Sequence, residues 1–569
     1  MAVFEKRKSI KLSLDDTVPL QCMIELAQNV KDHTEYVIRV QRGPLSENNW
    51  TVTKRYSDFV ALDAILRVSG IDLPLPPKKV FGNMEREFIA ERKTGLQVYL
   101  NTLVSNPFLA PTVEVKKFLD PRNYSVNLQE VALQHVSMYF RSEQGWEVVE
   151  PLPDFGWRVR KQYFMVRPPG QPKSLEVMHW TGFGPDQYIP VKELAAIMKI
   201  LPTLQHPYIC PISHAAATEN GGMTIRPFRE KGTLKDHIYK AKPKMPYLRK
   251  YGKQKANNTP QLLEIKTYGR HILEAVKFLQ EKGVPYGHLH SGNVIIENGH
   301  CLLLDVENSL LGLPPIHRHH IANFKKIQTF ESIDVFNFGH LLYEMAFGEP
   351  LTTATLDFLP PTCPPQLKDV LESILTPDSC KNGLPVITDL LANPLFSDVY
   401  LSPSEKPVLK IPSKLKEVLR SSKEETEKRL REDQKLISQV KRRSKAQAYH
   451  AEEEKKNRKK KRSSKKFHST ISETDGSSTT TTPPTSPTPS TPTSPMSPTS
   501  PGPSAPTPPP PPPIGGAPPP PPPLPQAAQT SPAPPAASGA RGALLGSISG
   551  FNKGGLKKTV TVDKSGPKI

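Results

Sequence analysis

The sequence predicts a multidomain chain: two α+β modules in succession, a charged and partly helical segment, and a disordered proline-rich tail carrying a short amphipathic motif. Three observations carry this. Residues from about 10 to 400 have ordinary globular composition with strand and helix periodicities, and 569 residues suffice for two or three domains. Charge dominates from 410 to 466. Of the 63 prolines, 27 lie in the last hundred residues, and such sequence cannot bury enough apolar surface to fold.

The formal net charge of +20 and the pI near 9.5 suit anionic partners without choosing among nucleic acid, a membrane surface and an acidic protein. Cys22, Cys210, Cys301, Cys363 and Cys380 are scattered with no C-x-x-C pair. That argues against a disulfide framework or a structural zinc site and suits a reducing compartment. No signal peptide is expected from the polar N-terminal sequence. No apolar run approaches the ~18 residues a bilayer span needs, so membrane contact is expected to be peripheral.

In the first module, 10–122, Tyr36 to Val40 and Trp50 to Lys54 alternate as strands do. Phe59 to Val68 and Glu85 to Leu103 carry apolar residues at helical spacing. Arg55-Tyr56-Ser57-Asp58-Phe59 lies at a strand-to-helix transition, followed by Leu75-Pro76-Pro77-Lys78-Lys79 and then Arg92 on a helix. These three ordered motifs are similar to the phox-homology (PX) domain. The resemblance implies phosphatidylinositol 3-phosphate as ligand. Arg55 would grip the 3-phosphate as a bidentate fork, Tyr56 would lie against the inositol, Lys79 would meet the 1-phosphate and Arg92 the ring hydroxyls.

In the second module, 135–400, Tyr286-Gly287-His288-Leu289-His290-Ser291-Gly292-Asn293 resembles the catalytic loop of a protein kinase, H-R-D-L-K-P-x-N. Asp305-Val306-Glu307 stands where D-F-G would stand. Asp334-Val335-Phe336-Asn337-Phe338-Gly339, Leu390 to Phe396 and His206-Pro207 match further landmarks in order. The resemblance implies a two-lobed protein-kinase-like α+β fold. The chemistry departs from it. The proton-accepting Asp is His288. The glycine-rich loop maps to Leu152-Pro153-Asp154-Phe155-Gly156-Trp157-Arg158, with one Gly and a bulky Trp. The strand Leu175 to Trp180 lacks the V-A-I-K lysine, leaving Lys161 or Lys173 as substitutes from elsewhere. The helix-C glutamate falls near Ile197, with Glu193 one turn away. A-P-E is absent before Asp334, and the arginine that pairs with it maps to Leu384. A pseudokinase is expected, with no catalytic residue and no cofactor. Asn293 and Asp305 are oxygen donors suited to Mg²⁺; they read either as residual Mg-ATP binding or as braces of the loop.

From 410 to 466, Leu415, Val418 and Leu419, then Leu436, Ile437 and Val440, suggest two amphipathic patches. The apolar gap between them argues against one long coiled coil. Lys455 to Lys466 form a basic cluster that reads as a nuclear localisation signal, an anionic-lipid patch or a solvated charge run. Residues 467–538 are expected to be disordered or polyproline II. Pro508–Pro523 holds two six-proline tracts suited to profilin or SH3/WW domains. In 539–562, Leu544, Leu545 and Ile548 share one side of a short helix, followed by Phe551 and Leu556-Lys557-Lys558. This resembles the WH2 motif, which implies actin binding by a helix in a groove.

The order of modules is similar to the PX-domain serine/threonine-kinase-like family, also named for modulation of Na,K-ATPase. That resemblance implies a Na,K-ATPase partner, which no residue here shows. The expected function is a non-catalytic scaffold. It binds phosphatidylinositol 3-phosphate membranes and actin, is cytoplasmic and peripheral at endosomal or plasma membrane, and regulates trafficking or activity of a membrane protein. Nucleic acid is not an expected partner. The alternative is a weak, unconventional serine/threonine kinase targeted to phosphoinositide membranes.

Overall fold

A computed structural model describes residues 14–79, 84–143, 145–171, 173–252, 258–401 and 406–471, with side chains described to 457. All of these fall in one compact unit. The proline-rich region and the WH2 residues Leu544, Leu545, Ile548, Phe551, Leu556, Lys557 and Lys558 lie outside the described residues.

The first module is an antiparallel sheet in the order β1 (Leu20–Val30), β2 (His33–Arg42), β3 (Asn49–Arg55), backed by α1 (Tyr56–Leu66), α2 (Arg86–Ser105) and α3 (Val113–Leu119). Strand alternation decides which face is buried. Tyr36, Ile38 and Val40 of β2 point inward, against Phe59, Leu62 and Leu66 of α1 and Leu96, Tyr99, Leu100 and Leu103 of α2.

The second module begins with α4 (Leu128–Ser142), so the boundary expected at 135 falls inside a helix. Ala132 and Val136 of α4 pack on Phe164, Val166, Met178 and Trp180. Those residues belong to a five-stranded antiparallel sheet that joins β4 (Glu147–Leu152), β5 (Lys161–Arg167), β6 (Glu176–Gly182), β7 (His214–Ala217) and β8 (Gly221–Pro227) in the order β4-β5-β6-β8-β7. Helix α5 (Val191–Ile200) flanks this small lobe. The large lobe is helical, built on α6 (Leu262–Glu281), the hairpin β9 (Val294–Glu297) and β10 (His300–Leu303), and the buried helix α7 (Phe330–Phe347). Phe336, Phe338, Leu341, Leu342 and Met345 of α7 are at most 1% exposed, which accounts for their near-continuous apolar run.

The two modules are fused by side chains. Asp16 pairs with Arg160 at 3.2 Å, and Arg160 donates to the Asn123 carbonyl at 3.2 Å. Phe108 leaves the first module's core to pack among Tyr239, Tyr247 and Tyr251 of the second.

The charged segment is helical throughout its described residues from Ser413. Helix α8 runs from Ser413 to Ile471 as one element. Leu415, Leu419, Ser422, Thr426, Leu430 and Gln434 recur every three or four residues and are all buried on the second module. The stripe is continuous, but polar residues occupy its middle. Thr426 bonds within the helix, to the Ser422 carbonyl at 3.0 Å; the docking bonds come from Gln434, whose amide donates to the carbonyls of Phe324 and Ile327 at 2.8 Å each, and from the neighbouring Glu427, whose carboxylate accepts from the Phe330 N–H at 3.1 Å. Buried Asp186, before α5, accepts from both Arg318 and Arg429, and Arg318 also meets Asp433 at 2.7 Å. The packed body therefore extends to Gln434.

Candidate functional sites

The first site sits where β3 turns into α1. The Arg55 N–H donates to the Asp58 carboxylate at 2.8 Å, so Asp58 closes the first turn of α1 and fixes the chain direction there. The Arg55 side chain is exposed and makes no ion pair among the described residues. The Tyr56 hydroxyl donates to the Pro76 carbonyl at 2.5 Å, tying the proline loop to α1. The Arg92 guanidinium lies 4.2 Å from the Tyr56 ring and 4.2 Å from the Phe88 ring. The Lys79 ammonium caps the Phe88 ring at 4.4 Å and stands 3.7 Å from Glu85. Tyr56, Arg92 and Lys79 are thus joined through Phe88, which the sequence reading missed. The available signal was the i, i+4 spacing of Phe88 and Arg92 on α2. Arg55 precedes Tyr56 in the chain, and no ion pair or hydrogen bond joins its side chain to Lys79 or Arg92 among the described residues.

Arg92 sets the electrostatics. It is 7% exposed, meets no carboxylate among the described residues, donates a long 3.4 Å bond to the Pro77 carbonyl, interacts with the Tyr36 hydroxyl, and its Nε has no partner among the described residues. Burying an unpaired cation is unfavourable, and two cation–π contacts offset part of that, on the order of 2 kcal/mol each when desolvated. An arriving anion would complete the arrangement.

The second site is the cleft between the lobes. Gly287 takes φ 71°, and its N–H and carbonyl are held by Asp334 (2.7 Å) and Asn337 (2.9 Å) of α7. Burial pushes Asp334 up to about 7, against its hydrogen bonds from Gly287 and Gln280. His290 and Asn293, just beyond this anchor, line the cleft, while His288 is buried behind it. The segment between β4 and β5 folds into that cleft. The Trp157 indole donates to His290 Nε2 at 3.3 Å. Arg158 donates to the Pro314 carbonyl at 2.6 Å and to His288 Nδ1 at 3.3 Å. Burial, and then Arg158, hold His288 well below the usual histidine range. It is a neutral acceptor already in use, a poor general base. Tyr286 packs in the core, with its hydroxyl on the Leu304 carbonyl at 3.1 Å. The space left beside Trp157, His290 and Asp305 is about 120 Å³, against roughly 300–1,000 Å³ for small-molecule sites.

Behind it lies a buried charge cluster. Lys161, at the start of β5, meets Asp305 at 2.7 Å, Asn308 at 3.0 Å and Glu307 at 3.7 Å. Lys173 is exposed. Arg226, near the end of β8, pairs with Glu307 and lies 3.8 Å from Asp305. His179 of β6 meets Glu307 at 2.6 Å. Burial alone would raise both carboxylates; Lys161 on Asp305 and Arg226 on Glu307 outweigh it and hold both low. Helix α5 supplies no carboxylate: Ile197 is buried, and Glu193 makes no ion pair with Lys161. Glu307, in the position of the D-F-G glycine, takes that part. The pairing of Glu307 with Arg226 and His179 is not legible in the sequence, because it needs the fold. Leu384 packs against the core, while Glu331 pairs with Lys423 of α8.

His179, Asp305 and Glu307 bring ligand-type atoms close together, but Lys161 and Arg226 occupy the same oxygens. The Asn293 amide donates to the His288 carbonyl at 2.9 Å. A divalent ion at Asp305 would displace an ammonium from its carboxylate, so the donor set does not fit Mg²⁺.

A PX-domain model matches residues 44–122 and a WH2-motif model matches 537–566. The PX domain, the kinase-like fold and the WH2 motif in the tail thereby match the fold class expected from sequence. A mouse protein named PX domain-containing protein kinase-like protein is 54% identical over 449 residues, covering 79% of this chain and 77% of its own. The fruit-fly Slowpoke-binding protein is 36% identical over 237 residues, covering 40% and 45%. A Dictyostelium discoideum protein named probable inactive serine/threonine-protein kinase slob2 is 34% identical over 269 residues, covering 44% of each chain.

Proposed function

This chain belongs to the family of PX domain-containing protein kinase-like proteins, and from that premise we propose a non-catalytic scaffold recruited to membranes by phosphatidylinositol 3-phosphate. The observation that carries the recruitment is Arg92: a buried guanidinium with no carboxylate partner among the described residues, held between Tyr56 and Phe88, beside Lys79. Arg55 stands exposed at the rim with a free fork for a phosphate. Lack of phosphoryl transfer is supported by the filling of the cleft by Trp157 and Arg158 and the pairing of Asp305 with Lys161. Residual Mg-ATP binding is not part of this reading. Two relatives carrying the word inactive in their names agree with it.

The WH2 motif adds actin as a partner, through Leu544, Leu545, Ile548, Phe551, Leu556, Lys557 and Lys558. The proline tracts add profilin or SH3/WW proteins. A membrane protein is the object of the scaffold, with Na,K-ATPase the first to test; a relative is named for binding Slowpoke. The place of action is the cytoplasmic face of endosomal or plasma membrane.

One observation favours the enzyme reading. Lys161 delivers an ammonium to Asp305 from a neighbouring strand, and a lysine there is what a kinase needs. Trp157 and Arg158 would both have to leave before phosphates entered.

Flotation of the full chain with phosphatidylcholine vesicles containing phosphatidylinositol 3-phosphate tests the recruitment. Wild type should float and Arg55→Ala should not. Flotation unchanged by Arg55→Ala would sink the assignment.

A further inference from the structure

Helix α8 is two objects in one. Its first turns, to Gln434, are bolted to the second module by the buried stripe and the Asp186–Arg318–Asp433 and Arg429 pairs. Beyond, from Lys441 to Asn457, every described side chain is exposed. From Gln434 to Ile471 the helix spans about 55 Å at 1.5 Å per residue. Between 441 and 466 the sequence holds thirteen Lys or Arg against three Glu. The apolar residues there are few: Ala446, Ala448, Tyr449 and Ala451 among the exposed ones. A helix-in-groove partner reads apolar anchors at i, i+3 and i+4, and a membrane-inserted amphipathic helix needs an apolar face. This arm has neither. What it presents is positive charge on a rigid rod.

We propose that the arm of α8 is a second membrane contact, which lies on anionic lipid such as phosphatidylserine by charge alone. The proposal rests on the phosphoinositide reading of the first module. That reading already puts the chain at a charged bilayer, and it favours lipid over the other polyanions a basic rod would attract. One weak headgroup site seldom anchors a protein stably; a second, polybasic contact is the physical remedy. Because the arm and the headgroup pocket belong to one compact unit, engagement of one raises the local concentration of membrane for the other.

The test is vesicle flotation of the full chain, comparing wild type, K441Q/R442Q/R443Q/K445Q/K455Q/K456Q and Arg55→Ala. Glutamine keeps the helix propensity of lysine and arginine. Phosphatidylserine vesicles lacking phosphoinositide should bind wild type and Arg55→Ala alike. The six-fold variant should bind them roughly tenfold to a hundredfold more weakly. The wild-type binding should fall as salt rises from about 0.1 M to about 0.5 M. Phosphatidylinositol 3-phosphate in neutral vesicles should still bind the six-fold variant and fail with Arg55→Ala, so loss of that arm alone would indict the headgroup reading and not this one. Equal binding of wild type and six-fold variant to phosphatidylserine would overturn the proposal. So would binding of the arm to RNA or an import receptor with no affinity for phosphatidylserine vesicles.

Discussion

Lys161→Met removes the only ammonium from a cluster in which Asp305 and Glu307 are otherwise met by Arg226 and His179. Methionine is close in length, so little volume is lost. Glu307 keeps Arg226; Asp305 keeps only a guanidinium 3.8 Å away. Removing one partner of a buried pair costs about 3–5 kcal/mol. Protonation of Asp305 sets a ceiling. Taking its unfolded pKa as about 3.9, neutralising it at pH 7 costs about 4 kcal/mol, and at pH 5 about 1.5 kcal/mol. In wild type, Asp305 is held low, so its contribution is present above the unfolded carboxylate pKa and lost as pH falls through the folded value. In the variant the sign reverses, and the deficit should shrink as pH falls. Urea unfolding followed by the fluorescence of Trp157 and Trp180 should therefore show a deficit of about 3–4 kcal/mol at pH 7 and about half that at pH 5. The double variant Lys161→Met, Asp305→Asn should recover most of it, since no buried charge is left unpaired. A deficit below about 1 kcal/mol at pH 7, or one independent of pH, would refute the buried cluster.

Gln434→Ala frees two carbonyls at 2.8 Å and should cost about 1–3 kcal/mol; earlier proteolytic cutting of α8 than in wild type would report it, and unchanged cutting would count against the docking. Asp334 is pushed up to about 7 by burial, so its contribution is full below about pH 4 and is lost as pH rises toward 7; the stability of Asp334→Asn relative to wild type should thus improve from pH 5 to pH 8, as read from urea midpoints. Phe88→Ala removes one ring from Arg92 and should weaken binding to 3-phosphoinositide vesicles by about 1–2 kcal/mol without unfolding the module; unchanged affinity would remove Phe88 from the site.

Some of this was legible from sequence because the signals are local. Alternation of Tyr36, Ile38 and Val40 and the ordered motifs around Arg55, Lys79 and Arg92 are written in single short stretches. His288 and the missing glycines are departures from the kinase pattern that single stretches of sequence display. The device that fills the cleft was not legible, since Trp157 and Arg158 meet His290, His288 and Pro314 across more than a hundred residues. Glu307 likewise looked only like a lost glycine until Arg226 and His179 were beside it. The docking of α8 was hidden for a different reason. Its inward stripe includes Ser422 and Thr426, and Gln434, which docks by hydrogen bonds, and a search for apolar periodicity passes over all three.

The most direct measurement is radiolabel transfer from Mg-ATP by the purified full chain, alone and with a generic protein substrate, beside Lys161→Met and Asp305→Ala. A scaffold with a filled cleft should give no label above the level of either variant. Label incorporated by wild type and abolished by both substitutions would contradict it.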